Sequence, residues 1–267
     1  MLRSALLLVA ALWVTSPAPA QTPLVQAHSH NDYEHARPLH DALDQGFCSI
    51  EADIYLIDGQ LLVAHDREQV KRERTLQALY LDPLRERVRV HGGRVHRDGP
   101  PVTLLIDLKT EAETTYAALR EVLKPYRDLL TRFTATTTDT RAITVILSGN
   151  RPTKTVEAEI ERWVGIDGRV PDLTAQPVPS PHLMPLVSDA WRTQFTWNGQ
   201  GAIPEAEGRK LAELVRAAHE QGRRIRFWGA ADREEMWRAQ HAAGVDMINT
   251  DRLAELAAYL RASAAKS

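Results

Sequence analysis

The feature that most constrains the fold is a regular alternation of short apolar runs with longer amphipathic segments. The apolar runs are rich in Val, Ile and Leu, and they predict strands at 24–29, 48–56, 60–66, 102–109, 142–149, 162–167, 183–188, 224–230 and 245–251. The clearest helices are predicted between them, at 38–45, 112–124, 155–162, 205–221, 232–243 and 251–263. Strands that alternate with helices are typical of a parallel sheet.

The number of strands indicates a closed barrel. If 60–66 pairs with the strand before it as a hairpin, eight strands remain, and eight βα units in about 245 residues is the usual size of a (β/α)8 barrel. We therefore predict the α/β class and a TIM barrel. The charged, Gly- and Pro-containing segment 67–101 has little periodicity, and we interpret it as an insertion or lid rather than a second domain.

The first twenty residues have the features of a signal peptide. Arg3 precedes the short apolar run "ALLLVAALWV", and "APA" ending at Ala20 is a small-residue cleavage site. This predicts a signal peptide at 1–20, one barrel domain at 21–267 and an exported, periplasmic or secreted protein; the alternative is an uncleaved anchor. The run is too short to span a bilayer, and no later stretch approaches the required length.

Charge and cysteine content exclude some classes. The net charge of −2 argues against a nucleic-acid surface. Cys48 is the one cysteine, so the chain has no internal disulfide, and its apolar surroundings predict a buried thiol.

The second predicted strand carries two carboxylates. Glu51 and Asp53 are two residues apart, so their side chains point to the same side of the strand. Two carboxylates this close raise each other's pKa unless a cation lies between them, and Mg²⁺ or Ca²⁺ is the natural partner of such oxygen ligands. The alternative is an exposed edge strand with solvated carboxylates, against which the apolar neighbours Ile50 and Ile54 argue.

Other polar residues stand at the ends of predicted strands, where the catalytic groups of such barrels lie. Asp107 is a candidate third carboxylate ligand and Lys109 a candidate phosphate-binding or counter-charge residue, although the two can also form a simple ion pair. Trp228 is a candidate wall of the active-site mouth or a core residue. A second aromatic group, Trp191, Phe195 and Trp197, is interpreted either as an apolar lip for a lipid or as the packing of a loop.

Histidines supply candidate acid and base groups. His28, His30 and Asn31 end the first strand, and His65 ends the short strand that follows Asp53. Two histidines beside one metal can act as general base and general acid. A structural, hydrogen-bonded role is the alternative for His65.

Taken in order, these motifs resemble the superfamily of phosphatidylinositol-phospholipase-C-like phosphodiesterases, which includes the glycerophosphodiester phosphodiesterases. The pieces are "AHSHND", "IEADIYLIDGQLLVAHD", "IDLK" and "RFWGA". In "HSHNDY" and "RFW" the chain is most similar to the altered inheritance of mitochondria protein 6 group. The resemblance implies a metal-dependent phosphodiester hydrolase acting on a small-molecule or lipid substrate, such as a glycerophosphodiester or phospholipid.

The resemblance also implies roles for individual residues. Glu51, Asp53 and Asp107 would hold Mg²⁺ or Ca²⁺, with Asn31 assisting, and Lys109 would contact phosphate. His28 and His65 would be the acid/base pair, with His30 as the alternative to His28, because eukaryotic phospholipases C have a His-Asn pair that aligns with His30 and Asn31.

Two other functions fit parts of the pattern. A barrel metallohydrolase of the amidohydrolase type would bind its metal through the two histidines of "HSH" and an aspartate on the last strand, here Asp251. An exported binding protein would keep a metal site without turnover.

Overall fold

The computed structural model describes residues 22–265, so the predicted signal peptide at 1–20 lies outside the described residues. The strands are β1 (Leu24–Ser29), β2 (Phe47–Ile57), β3 (Gln60–Val63), β4 (Val102–Leu108), β5 (Arg132–Phe133), β6 (Thr138–Asp139), β7 (Ile143–Gly149), β8 (Gly165–Gly168), β9 (Leu186–Ala190), β10 (Arg224–Trp228) and β11 (Met247–Thr250). The α-helices are α1 (His40–Asp44), α2 (Asp82–Val90), α3 (Ala112–Leu123), α4 (Thr153–Ala158), α5 (Trp191–Gln194), α6 (Glu205–Glu220), α7 (Glu234–Ala243) and α8 (Leu253–Ala264).

Eight parallel strands close into a barrel. The hydrogen-bonded order is β1-β2-β4-β7-β8-β9-β10-β11, and β11 pairs again with β1. The predicted hairpin is also present, because β3 pairs antiparallel with the end of β2 and stands outside the ring of eight. The predicted (β/α)8 barrel is therefore confirmed.

Local sequence explains where the helices begin and end. Glu111 caps α3, because its carboxylate accepts hydrogen bonds from the backbone N–H groups of Glu113 and Thr114. Gly244 ends α7 in the left-handed conformation with φ of 81°, which a residue without a Cβ adopts at little cost.

The interpretation of 67–101 as an insertion or lid is wrong. A π-helical turn, Gln77–Leu81, runs directly into α2, and this helix connects β3 to β4. Leu76, Tyr80, Leu84 and Val88 recur every four residues, and all four are buried in the main core. The segment is thus the helical layer of its own βα unit.

The apolar side chains pack mainly between the barrel and its helices. A second cluster joins β9 and β10 to α6 and α7, and it contains Trp191, Phe195 and Trp197. These three aromatic side chains are at most 8% exposed, so they pack the core and form no apolar lip. Cys48 is buried and unpaired, as predicted. None of the helices within 22–265 has the length and apolar character needed to cross a membrane.

Candidate active site

A polar layer crosses the barrel interior near the carboxyl ends of the strands. Strand register places these inward-facing polar residues on the same side of the sheet, near the carboxyl ends of the strands: His28, Glu51, Asp107, Ser148, Asp167, Ser188, Arg226 and Asn249. Below it lies an apolar layer of Leu105, Ile146, Leu186 and Met247. The interior is therefore filled by apolar side chains below and presents polar groups at its mouth, where the active sites of such barrels lie.

Glu51 is held by two partners that come from opposite ends of the chain. Its Oε2 lies 3.1 Å from Arg226 Nη1 and 3.1 Å from His28 Nε2. Burial by itself raises the pKa of Glu51, but the Arg226 guanidinium and the His28 hydrogen bond outweigh burial and hold the pKa well below its usual range. Glu51 is therefore a carboxylate at neutral pH, and its Oε1 is not engaged by these two partners.

Asp53 lies on the same side of β2 as Glu51 and is two residues nearer the mouth. Its Oδ2 accepts hydrogen bonds from the Tyr33 hydroxyl at 2.7 Å and from Lys109 Nζ at 2.9 Å, whereas its buried Oδ1 has no partner. Burial raises the pKa of Asp53 to about 7, the Glu51 carboxylate adds to this, and Lys109 opposes it. A buried carboxylate oxygen without a hydrogen-bond partner is a suitable ligand for a divalent cation.

Asp107 completes the group from the neighbouring strand. It lies opposite Asp53 in the β2–β4 register, and its carboxylate is 3.2 Å from Lys109 Nζ. Burial raises the pKa of Asp107, and Lys109 opposes the rise. Oxygen atoms of Glu51, Asp53 and Asp107 all lie within 4.8 Å of one another. Three carboxylates at this spacing fit a hard divalent cation such as Mg²⁺ or Ca²⁺.

Lys109 and Asn31 lie at the edge of the carboxylate group. Burial would lower the pKa of Lys109, but the two aspartates raise it above its ordinary value, so Lys109 is charged. Asn31 has a left-handed backbone, with φ of 47°. Its Oδ1 lies 2.8 Å from the Tyr33 hydroxyl, which also contacts Asp53, so Tyr33 links Asn31 to the carboxylates.

The two histidines of the first strand occupy different environments. His28 is 0% exposed, its Nδ1 lies 2.7 Å from Ser49 Oγ, and its Nε2 lies 2.7 Å from Arg226 Nη1. Its Nε2 also lies 3.1 Å from Glu51 Oε2, so a proton on Nε2 is donated to Glu51, whereas an unprotonated Nε2 accepts from Arg226. Burial and Arg226 lower the pKa of His28 to about 4, so His28 is neutral and both of its nitrogens are engaged.

His30 lies beyond the end of β1, at the mouth, with 28% of its side chain exposed. Its Nδ1 is 2.9 Å from Asp251 Oδ1. Burial by itself lowers the pKa of His30, but the hydrogen bond to Asp251 and the charge of Glu51 raise it overall. The Nε2 of His30 is not engaged by Asp251, so this histidine can exchange a proton with a molecule in the mouth.

His65 and Trp228 are placed at the same end of the barrel. The β2–β3 hairpin turns back so that the Ala64 N–H lies 3.3 Å from the Asp53 carbonyl oxygen, and His65 follows with 47% of its side chain exposed. Trp228 is the last residue of β10 and is half-buried. The structure thus brings all the predicted site residues to one end of the barrel.

Three residues of this site carried no recognised signal in the sequence. Arg226, Tyr33 and Asn249 all lie in the site, and neither polar atom of the buried Asn249 amide has a partner. The signal for Arg226 was present in "RIRF", where arginines alternate with apolar residues on a predicted strand. Tyr33 follows the motif of the first strand by only two residues.

Fold and site together define a TIM barrel with a group of three carboxylates at its mouth. The sequence profile of the AIM6-like phosphodiesterase domain matches residues 20–165, which is more than half of the chain. The chain therefore belongs to the AIM6-like phosphodiesterase domain family.

Comparisons with individual proteins agree with this family. The chain is 28% identical over 259 residues to an altered inheritance of mitochondria protein 6 homolog of Arthroderma benhamiae, covering 85% of this chain and 81% of that protein. It is 28% identical over 277 residues to altered inheritance of mitochondria protein 6 of Eremothecium gossypii, covering 86% and 68%.

Solved structures with the same fold include a glycerophosphodiester phosphodiesterase from Agrobacterium tumefaciens, with a TM-score of 0.54 and 17% identity over 90% of this chain and 100% of that one. One from Parabacteroides distasonis has a TM-score of 0.54 and 14% identity over 91% and 100%. At these identities the likeness concerns the fold.

Proposed function

We propose that this protein is a metal-dependent phosphodiester hydrolase that acts on a glycerophosphodiester or a phospholipid-like substrate. The observation that carries the proposal is the convergence of Glu51, Asp53 and Asp107 within 4.8 Å of one another, at the end of the barrel where β1 leads to His30 and β3 leads to His65. The family match supports the reaction class.

The carboxylates of Glu51, Asp53 and Asp107 would hold Mg²⁺ or Ca²⁺, with Asn31 as a further oxygen donor. The bound cation would neutralise phosphoryl oxygens and lower the pKa of a nearby hydroxyl. Lys109 is placed to contact a phosphate oxygen, because its ammonium group is charged and lies beside two of these carboxylates. Trp228 would form part of the wall of the substrate site.

His30 and His65 are proposed as the acid/base pair. His30 is oriented by Asp251 and is reachable from the mouth, whereas His28 is buried with both nitrogens engaged. We assign His28 the role of positioning Glu51, together with Arg226. One of the two exposed histidines would take the proton of the attacking hydroxyl, and the other would protonate the leaving alcohol.

The carboxylate group favours this reaction over the amidohydrolase type. The potential metal-binding cluster identified within 22–265 consists of carboxylates without a histidine. Asp251, the residue which that alternative requires as a ligand, is hydrogen-bonded to His30. The alternative of a binding protein without turnover is distinguished from the proposed enzyme by whether the protein hydrolyses a phosphodiester.

The test is hydrolysis of bis(p-nitrophenyl) phosphate by protein stripped with EDTA and then supplied with Mg²⁺ or Ca²⁺. Asp107→Asn is the ligand variant of choice, because Asp107 does not contact the buried Arg226. We expect metal to restore activity in wild type but not in Asp107→Asn. We expect His30→Asn and His65→Asn each to lower kcat by about a hundredfold or more. Activity within tenfold of wild type in all three variants would refute the assignment.

We also propose that the protein is exported after removal of residues 1–20. N-terminal sequencing of protein recovered outside the cytoplasm should then begin at Gln21. A mature protein that retains Met1 would contradict this proposal.

A further inference from the structure

Arg151, in the loop after β7, has an incomplete set of partners. Its Nη1 donates to the Gly149 carbonyl oxygen at 3.1 Å, and its buried Nε has no hydrogen-bond partner. Within 22–265, no carboxylate lies at ion-pair distance from this guanidinium. A largely buried cation without an anionic partner is costly, so a position of this kind favours binding of an anion from outside the protein.

The loop that carries Arg151 leaves the barrel directly beside the carboxylate group. Gly149 has φ of 65°, and a Cβ at this position would lie 2.3 Å from Asp107 Oδ1. The absence of a side chain at Gly149 therefore allows the end of β7 to pack against the Asp107 carboxylate. Arg151 follows two residues later and donates back to the Gly149 carbonyl oxygen.

Arg151 is influenced by charged residues of the neighbouring strand and of the turn that follows it. Burial lowers the pKa of Arg151, and the charges that act most strongly on it are those of Arg169 and Asp167, followed by Asp172 and Asp107. Three of these four residues belong to β8 and the turn after it. Arg151 stands two residues after Gly149, which packs against Asp107, so it lies beside the proposed reaction centre.

The neighbouring Arg169, unlike Arg151, has a carboxylate partner. Its Nη1 lies 2.9 Å from Asp167 Oδ2, and that oxygen also accepts hydrogen bonds from Ser148 and Ser188. The Arg169 charge is thereby compensated within the protein. Within 22–265, Arg151 Nη2 has no hydrogen-bond partner and is not among the buried atoms, so it can donate to an oxygen of a carboxylate or a phosphate.

We propose that Arg151 binds a second anionic group of the substrate, a phosphomonoester or a carboxylate carried on the head group beside the scissile phosphodiester. This inference rests on the proposed phosphodiesterase function and specifies its substrate class. Arg151 is a specificity-determining residue in this proposal, because it contacts the substrate away from the reacting atoms.

Binding of inorganic phosphate to EDTA-treated protein tests the anion site without requiring turnover. Calorimetric titration should show saturable binding to wild type, at least tenfold weaker binding to Arg151→Gln and an intermediate affinity for Arg151→Lys. The matched control is Arg216→Gln, which removes one positive charge from the exposed face of α6. Equal affinities for wild type and Arg151→Gln, or no saturable binding to wild type, would overturn the inference.

A matched substrate pair tests the role in specificity. Glycerophosphoinositol and glycerophosphoinositol 4-phosphate differ by one phosphomonoester, so the ratio of their kcat/KM values isolates the second anion. We expect wild type to prefer the phosphorylated compound and the ratio to fall at least tenfold in Arg151→Gln. A ratio that does not change in Arg151→Gln overturns the inference.

The two proposals fail in different ways. Metal-dependent cleavage of bis(p-nitrophenyl) phosphate together with phosphate binding that is independent of Arg151 leaves the phosphodiesterase function standing and removes this inference. Phosphate binding through Arg151 without cleavage of any diester removes the function and supports the anion site.

Discussion

Replacing Asp53 with asparagine should remove a pH-dependent cost to stability. In the metal-free protein the pKa of Asp53 is raised by burial to about 7, from an ordinary value of 3.8. The folded state therefore binds a proton that the unfolded state has released at any pH between these two values. Asp53 consequently contributes stability that is present at low pH and is lost as the pH rises towards and through 7.

The size of the effect follows from the two pKa values. Between about pH 5 and pH 8, the linkage relation gives a loss of about 2 to 3 kcal/mol in the free energy of unfolding from this one group. Asparagine has the same shape but carries no charge at either pH. The difference between the free energies of unfolding at the two pH values should thus be smaller by about 2 to 3 kcal/mol in Asp53→Asn than in wild type.

The assay is urea unfolding in EDTA at both pH values, followed by the same experiment with saturating Mg²⁺. Mg²⁺ should stabilise wild type at the higher pH and should have little effect on Asp53→Asn, because a ligand has been lost. His30, whose pKa is also raised, is present in both proteins, so its contribution cancels in the comparison. An equal pH dependence of the free energy of unfolding in the two proteins would refute the conclusion that burial raises the pKa of Asp53.

Three further changes test the parts of the site. Arg226→Gln should destabilise the EDTA-treated protein by about 3 kcal/mol in urea unfolding, because the buried Glu51 carboxylate loses its cation; a loss below about 1 kcal/mol would contradict this. Gly149→Ala should cost at least about 1 kcal/mol and weaken Mg²⁺ binding at least tenfold by calorimetry, since the new Cβ displaces the Asp107 carboxylate; unaltered Mg²⁺ affinity would be inconsistent with the contact. His28→Asn should raise the Mg²⁺ concentration needed for activity while kcat at saturating Mg²⁺ stays within tenfold; a kcat loss of about a hundredfold would make His28 itself the catalytic group.

Periodicity was sufficient to predict the barrel, because each of the eight strands is an apolar run and each run is followed by a helix or a turn. The same reasoning was wrong for 67–101, where arginine is the most frequent residue. The four-residue spacing of Leu76, Tyr80, Leu84 and Val88 was visible there, and only these positions are needed to bury one face of a helix. Composition was thus a poorer guide than spacing.

The alternation of side chains along a strand was sufficient to predict that Glu51 and Asp53 lie on one face of β2. In the structure, the parallel register of β2 and β4 places Asp107 opposite Asp53. The alternation could not predict that Arg226 contacts Glu51, because the two residues are 175 positions apart in the sequence. A partner at that separation is fixed by closure of the barrel, which places β10 and β2 on facing walls. No local pattern contains that information.

The end of β1 gives His28 and His30 different surroundings, although the alternation of side chains predicts the same side of the strand for both. His28 and His30 would share a face if β1 continued, but the strand ends at Ser29 and Asn31 turns the chain into the left-handed region. His28 therefore remains in the polar layer, where Arg226 and Ser49 occupy its nitrogens, while His30 emerges above that layer and meets Asp251 from the last strand. The end of a single strand thus assigns the structural role to one histidine and the proposed chemical role to the other.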